Sequence, residues 1–315
     1  MGLFIGMDEA GYGPNLGPLV VTVTAWEVPG DPCQTDFWSE LTDVIVRSSP
    51  VDDSRLHVAD SKQVYNPARG IANLERSVLC VLNSCGLYPA GFRELYRELI
   101  GEQDLAENPA PWFEGSDFPL PLVEHATRFD EITQRFSACC RRSGIRLRAV
   151  RCDVVLAERF NRLTRRYGSK GLTLSRTSLG LLRTVWDPDE RQPILIVADK
   201  HGGRNRYERL LSEVLDGRMI FRGRESTACS DYRVGSTVIH FETAAESHFP
   251  VAVASMVSKY VRELAMTLFN RFWCGLVPGL KPTKGYPVDA RRFKAEIAEA
   301  QSRLRIPDEI LWREL

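Results

Sequence analysis

The 315-residue sequence predicts an α/β protein: a central sheet with a large helical addition. Three observations carry this. Two short apolar runs, residues 2–7 and 193–198, lead directly into carboxylates and predict buried strands. Residues 19–26 are rich in β-branched side chains and predict a third strand. After Pro250, apolar residues recur at three and four positions over a long stretch, the mark of a helix. Strands mixed with helices over this length give an α/β sheet. The length would allow two domains at ~150 residues each, but folds of this class are often one body with an insertion.

Taken in order, the first strand stops at Asp8-Glu9-Ala10-Gly11. Gly11, Gly13, Pro14, Gly17 and Pro18 separate it from the next strand, too much punctuation for a two-residue hairpin. The connection is therefore a shaped loop. Residues 68–85 predict a helix, with Ile71, Leu74, Val78 and Leu82 on one face and a stop at Gly86. A second helix falls around 129–142. Residues 107–121 carry Pro109, Pro111, Pro119 and Pro121 and predict an irregular surface excursion. Residues 153–185 are expected to be mainly helical, with arginine-rich faces. The strand at 193–198 ends on Asp199, residues 203–215 follow as a helix, and 234–241 as a strand. Pro250 suits a first helical turn, because its missing N–H would have no partner there. Val253, Met256, Val257, Tyr260, Val261, Leu264 and Leu268 then line one side. The division expected is a core of residues 1–100 and 190–290, a Pro-rich then Arg-rich, mainly helical insertion at 101–190, and a helical tail at 291–315.

Composition excludes several classes. With 43% hydrophobic and 26% charged residues the chain is not disordered throughout. No run approaches the ~18 to 20 apolar residues of a membrane helix, and the N-terminus lacks the basic region of a secretory signal. Eight cysteines without C-x-x-C spacing make neither a disulfide scaffold nor a zinc site. The expectation is a cytoplasmic enzyme with reduced thiols and no membrane partner. Net charge is zero, with 41 basic and 41 acidic residues, but it is unevenly spread. Residues 1–60 hold ten acids and two bases, and residues 141–170 hold ten bases and two acids. Such polarity can set a polyanion-binding face beside a cation-binding pocket, or simply make two solvated surfaces that differ.

Four carboxylates stand where a fold could gather them. Asp8 and Glu9 end the first strand, Asp199 ends another, and Glu246 precedes the Pro250 helix. If the two apolar strands are neighbours, all four converge at one end of the sheet, where ligands of open α/β sheets collect. Adjacent strand residues face opposite ways, so Asp8 and Glu9 are expected to share a site through a break in the strand. Clustered carboxylates take up a proton or a cation, and hard divalent ions prefer an all-oxygen setting. A pair of such ions supports phosphodiester cleavage. Asp60-Ser61-Lys62 offers an N-cap at Asp60 or Ser61, or a phosphate contact by Lys62. Lys259 either snorkels or points toward a phosphate. Tyr286, in the turn Lys284-Gly285-Tyr286, either stacks on a sugar or base or belongs to the core. His201, two positions after Asp199, could reach a substrate. The glycines match neither a P-loop nor a dinucleotide fingerprint.

Together these pieces resemble a known family. Gly6-Met7-Asp8-Glu9-Ala10-Gly11-Tyr12-Gly13-Pro14, with Leu16-Gly17-Pro18-Leu19-Val20-Val21, resembles the opening of the type 2 ribonucleases H, ribonucleases HII and HIII. Asp60-Ser61-Lys62, Ile194-Leu195-Ile196-Val197-Ala198-Asp199, the block from Glu246 through Lys259 to Arg262, and Lys284-Gly285-Tyr286-Pro287 resemble its later motifs in the right order. The resemblance implies a ribonuclease H-like fold, a mixed central sheet flanked by helices, and endonucleolytic cleavage of the RNA strand of an RNA–DNA hybrid, including ribonucleotides embedded in DNA. It implies Mg²⁺ or Mn²⁺ held by Asp8, Glu9, Asp199 and Glu246, and substrate contacts by Gly11, Tyr12, Gly13, Ser61, Lys62, Lys259 and Tyr286. A monomer is expected.

The sequence also departs from the family. Tyr12 replaces the basic residue that type HII members carry between the glycines, and Lys200 follows Asp199 where a small residue is usual. Glu246 leans toward type HIII, yet the chain begins directly at the first strand. The surplus at 101–190 either grips duplex phosphates with Arg141, Arg142, Arg162, Arg165 and Arg166 or is a helical addition with solvated arginines. Two other readings are a nuclease of this fold acting on another nucleic acid, and a hybrid-binding protein whose catalysis has decayed.

Overall fold

The computed structural model describes residues 1–48, 54–66, 70–101, 110–114, 117–123 and 126–314. The strands are β1 (Gly2–Ala10), β2 (Leu19–Val28), β3 (Ile45–Val46), β4 (Leu56–His57), β5 (Arg146–Val155), β6 (Ile194–Asp199), β7 (Phe221–Glu225), β8 (Cys229–Val234) and β9 (Thr237–Glu242). The helices are α1 (Phe37–Glu40), α2 (Ser61–Val64), α3 (Ala72–Ser84), α4 (Phe92–Ile100), α5 (Ala126–Arg142), α6 (Ala157–Tyr167), α7 (Lys170–Leu182), α8 (Glu208–Val214), α9 (Phe249–Leu276), α10 (Pro287–Arg303) and α11 (Asp308–Leu311). Seven strands form one mixed sheet in the order β5-β2-β1-β6-β9-β8-β7. The parallel strands β1, β6 and β9 occupy its centre, and the remaining pairings are antiparallel.

Alternation along β1 explains its two-sided burial. Leu3, Ile5 and Met7 enter an apolar layer with Leu174, Leu182, Tyr207 and Phe241. Phe4 enters the opposite layer, with Trp26, Phe249 and Met256. Helix α9 lies across that second face, and Gly6 is where it comes closest. A Cβ on Gly6 would sit 2.3 Å from the Pro250 carbonyl carbon and 2.4 Å from the Val251 nitrogen. Any side chain there would lift the start of α9 off the sheet. Thr24 Oγ1 donates to the Pro250 carbonyl at 2.8 Å and fixes the same turn from β2.

Several elements differ from the sequence reading. β1 does not stop at Asp8: it pairs with β2 through Ala10↔Val20, while its pairing with β6 ends at Met7↔Ala198. The expected stop therefore exists on one side only. Residues 146–155, expected within a mainly helical stretch, form β5, an edge strand paired with β2. Leu147, Val150, Cys152 and Val154 are buried, and a bulge opposite Ala25 and Trp26 breaks the alternation between the first two. The expected strand 234–241 is a hairpin turning at Gly235 and Ser236, with β8 before it and β9 after. The helix at 203–215 contracts to α8. The helix expected at 68–85 forms as α3, with residues 68–69 outside the described ones. In the Pro-rich excursion, residues 107–109 lie outside the described residues, and the described remainder holds neither helix nor strand element. Among the described residues no helix is long and apolar enough to cross a membrane. All eight cysteines are free thiols.

Candidate active site

The ends of β1 and β6 and the approach to α9 meet at one place. Asp8, 6% exposed, faces α9. The Ser255 hydroxyl hydrogen-bonds its carboxylate, and Ser258 Oγ donates to its carbonyl at 3.2 Å. The Glu9 amide donates to Asp8 Oδ1 at 2.8 Å. Asp199 ends β6, where the Lys200 amide continues the ladder by donating to Glu242 O at 3.0 Å. The short 3₁₀ turn Ala245–Ser247 carries Glu246 just before α9, and the backbone of Ala245 and Lys200 lowers the Asp199 carboxyl against its burial. The close approach at Gly6 seats the start of α9 on β1, directly after the turn that carries Glu246.

The four acids act on one another electrostatically. Burial pushes the Asp8 carboxyl well above its ordinary value, and Glu9, Glu246 and Asp199 push it further. Burial, then Asp199 and Glu246, raise Glu9 to about 8. Burial and Glu246 raise Asp199 to about 6. Such desolvated, mutually repelling carboxylates are short of positive charge. The nearest cation felt by them is Lys62. Burial pushes its ammonium down, but Asp60, Glu246, Asp8 and Asp199 together hold it above the ordinary lysine range. The donor set, oxygen only and anionic, fits a hard divalent cation. Among the described residues, however, no three His, Cys, Asp or Glu side chains are already drawn together as a metal-ligand group. The expected break between Asp8 and Glu9 is absent. They leave opposite faces of a continuous strand, and the site is shared because β1 overhangs β6 at that end.

The remaining candidate residues fall into two groups. Asp60 caps α2 through its side chain, which accepts the Lys62 amide at 3.0 Å. Ser61 is buried, with its Oγ 3.1 Å from Ser255 Oγ, and so props the residue that props Asp8. Gly11, with φ +87°, and Gly13 flank Tyr12 beyond the end of β1. The loop is braced from behind by Arg313, which donates to Gly11 O at 2.6 Å and to Pro14 O. Asn15 and Leu16 donate their amides to Gly285 O at 2.8 and 3.2 Å, setting Tyr286, 54% exposed, beside the glycine loop.

Lys259 is not brought to the four acids. Its Nζ lies 2.7 Å from Glu263 Oε1 and over the Tyr65 ring. Lys200 turns away to Ser226 O, Asn205 and Ser230. His201 does not reach a substrate: it is 3% exposed, its Nδ1 is 3.2 Å from Ser175 Oγ, and burial holds it down at about 3. Arg141, Arg142, Arg162 and Arg166 are exposed, and Arg165 pairs with Glu314. Sequence reasoning missed Ser255, Arg313 and the Glu263 cluster. Ser255 lies inside the block that follows Glu246 but reads as one more helix position, and nothing near Arg313 in sequence marks it.

No protein-family model matches this chain, and no curated protein matches it in sequence. Solved structures do. The ribonuclease H2 of Pyrococcus horikoshii OT3 is 16% identical with a TM-score of 0.50, the match covering 98% of this chain and 92% of that one. The ribonuclease HII of Archaeoglobus fulgidus, solved as a complex with PCNA, gives 15% identity and a TM-score of 0.42, covering 98% and 93%. Bst-ribonuclease HIII, solved with Mn²⁺, gives 20% and 0.39, covering 99% and 66%. At these identities the likeness is one of fold, and the mixed sheet flanked by helices is the fold of the type 2 ribonucleases H.

Proposed function

We propose that the chain is a divalent-metal-dependent ribonuclease H that cuts the RNA strand of RNA–DNA hybrids. The observation that carries this is the set of four acids, from three separate stretches, with Asp8, Glu9 and Asp199 each raised by burial and by neighbours in the set. Asp8, Glu9, Asp199 and Glu246 would hold Mg²⁺ or Mn²⁺, which lowers the pKa of an attacking water and offsets charge on the leaving oxygen. Ser255, itself held by Ser61, acts on Asp8. The backbone of residues 11–13 offers the close approach that reading a 2′-hydroxyl requires. Tyr286 presents an exposed ring for stacking, and Lys62 a cation for a phosphate. Water adds at phosphorus as the bond to the 3′ oxygen breaks. The products are a 3′-hydroxyl, which gains the proton, and a 5′-phosphate.

Purified protein on an end-labelled RNA–DNA hybrid with Mg²⁺ or Mn²⁺ tests the reading. Internal cleavage of the RNA strand, with plain DNA duplex uncut, is expected. Tyr12 between the glycines motivates a second reading, a nuclease of this fold acting on other nucleic acids; equal cutting of hybrid and DNA duplex would select it.

A further inference from the structure

We infer that Lys170, seated on the ring of Tyr12, supplies the positive charge that holds the nucleic-acid backbone next to the four acids. This rests on the nucleic-acid reading above and names the contact that reading lacks at the glycine loop. Three elements meet at Tyr12. Its hydroxyl is wedged between the loop after Asp199 and the first turn of α7: a Cβ on Gly202 would lie 3.0 Å from Tyr12 Oη, and one on Gly171 3.7 Å. Lys170, the first residue of α7, places its Nζ 5.0 Å from the centre of the ring.

Its surroundings set this ammonium apart. Lys259 and Lys284 are spent on Glu263, and Lys294 on Asp308. Lys200 is buried among backbone and hydroxyl acceptors. Among the described residues Lys170 forms no ion pair. A π face attracts an ammonium and fixes the direction of its stem, but leaves its charge intact. A second unpaired cation stands close by: Arg204 acts on Tyr12 electrostatically, and its Nε is buried without a hydrogen-bond partner. Glu9 acts on the same tyrosine. Tyr12 is therefore shared electrostatically between Glu9 and Arg204, with Lys170 over its ring, and no carboxylate of the described residues pairs with either cation. A nucleic acid with one phosphate at the acids must carry its next phosphates past this rim. Each of those needs a positive partner where the acids offer only repulsion.

The test is the salt dependence of binding, measured by fluorescence anisotropy on a labelled RNA–DNA hybrid in EDTA. It uses the full chain, Lys170→Met, Tyr12→Leu and the double variant, with melting curves as the check on folding. Removing one phosphate-binding cation lowers the slope of log K against log salt by about 0.7 to 0.9. Each single variant is expected to show that reduction. The double variant is expected to show the same reduction once, because ring and ammonium act as a unit. A Lys170→Met slope equal to the parent's overturns the inference, and so do reductions that add in the double variant. A parent chain that neither binds nor cuts hybrid overturns the nucleic-acid reading itself and takes this inference with it. Intact cleavage with an unmoved Lys170→Met slope overturns this inference alone.

Discussion

Two acidic centres, one glutamate on helix α9 and four carboxylates before and beneath its start, are handled in opposite ways. Glu263, on the helix, is 5% exposed and carries its own cations. Lys259 and Lys284 each place Nζ 2.7 Å from one of its oxygens, and the Tyr65 hydroxyl donates at 3.0 Å. Burial alone would raise its pKa, but the two ammoniums hold it down at about 2. Asp8, Glu9, Asp199 and Glu246 act on one another and on Lys62, and burial raises the first three. The contrast shows what separates a brace from a site. Glu263 ties Tyr65 and the Lys284 loop to α9 and needs nothing further. The four acids have been placed at an electrostatic cost that the protein does not itself relieve.

Neutral isosteres should separate the two groups most sharply. Asp8→Asn removes a charge but little volume. Cleavage of hybrid should fall by more than the roughly 10- to 100-fold that loss of an outer-shell partner costs at a metal site. The melting temperature without metal should hold or rise, because crowding is relieved. Activity within tenfold of the parent would sink the site assignment. Glu263→Gln should do the reverse to stability, because it strands two ammoniums. Breaking a fully buried pair costs about 3 to 5 kcal/mol. Here about 2 to 3 kcal/mol is expected, since the Lys284 side chain is 50% exposed. Urea unfolding measures it, and an unchanged midpoint would show that Glu263 is not a brace.

The same comparison explains what was legible in the sequence. Asp8 and Asp199 could be found because each follows an apolar run, and strand ends are where this fold class puts ligands. Glu246 could be found because the helix after it is so regular. The route by which Asp8 and Glu9 share a site could not. It depends on β1 keeping β2 as a partner after its pairing with β6 has ended, and pairing partners are a property of the sheet. β5 was hidden for a different reason: a bulge opposite Ala25 and Trp26 breaks the alternation between Leu147 and Val150, so the period of two is lost midway along the strand. Glu263 and Lys284 are 21 residues apart, and no local pattern links them. Arg313 braces a loop 302 residues away, a link that only the packed chain reveals.

Titration offers a smaller effect with opposite signs in the two regions. Glu9 rises from the ordinary 4.5 to about 8 in the fold. Between those values the folded state binds the extra proton, so metal-free stability should fall as pH rises through that window. Glu263 falls from 4.5 to about 2. Its contribution is present above 4.5 and is lost as pH falls toward 2. Unfolding in EDTA across pH should therefore show Glu9→Gln flattening the alkaline limb and Glu263→Gln the acid limb. If the limbs respond the other way round, the charge assignments are wrong.

Lys62 tests the idea of charge shortage most finely, because it is the cation both Glu9 and Asp199 feel. Its side chain is 84% exposed and 3.9 Å from Asp60, so Lys62→Met should leave stability within about 0.5 kcal/mol. Its two binding effects should carry opposite signs. Hybrid binding should weaken, because one phosphate is left without its positive partner. Mn²⁺ binding should tighten, since a positive charge has left the rim. An exposed pair contributes up to about 1 kcal/mol, so the gain should stay below roughly fivefold. Calorimetric titration with Mn²⁺ decides it. Weaker Mn²⁺ binding in Lys62→Met would mean that Lys62 supports the cation, and that the acids are not short of positive charge in the way their raised pKa values indicate.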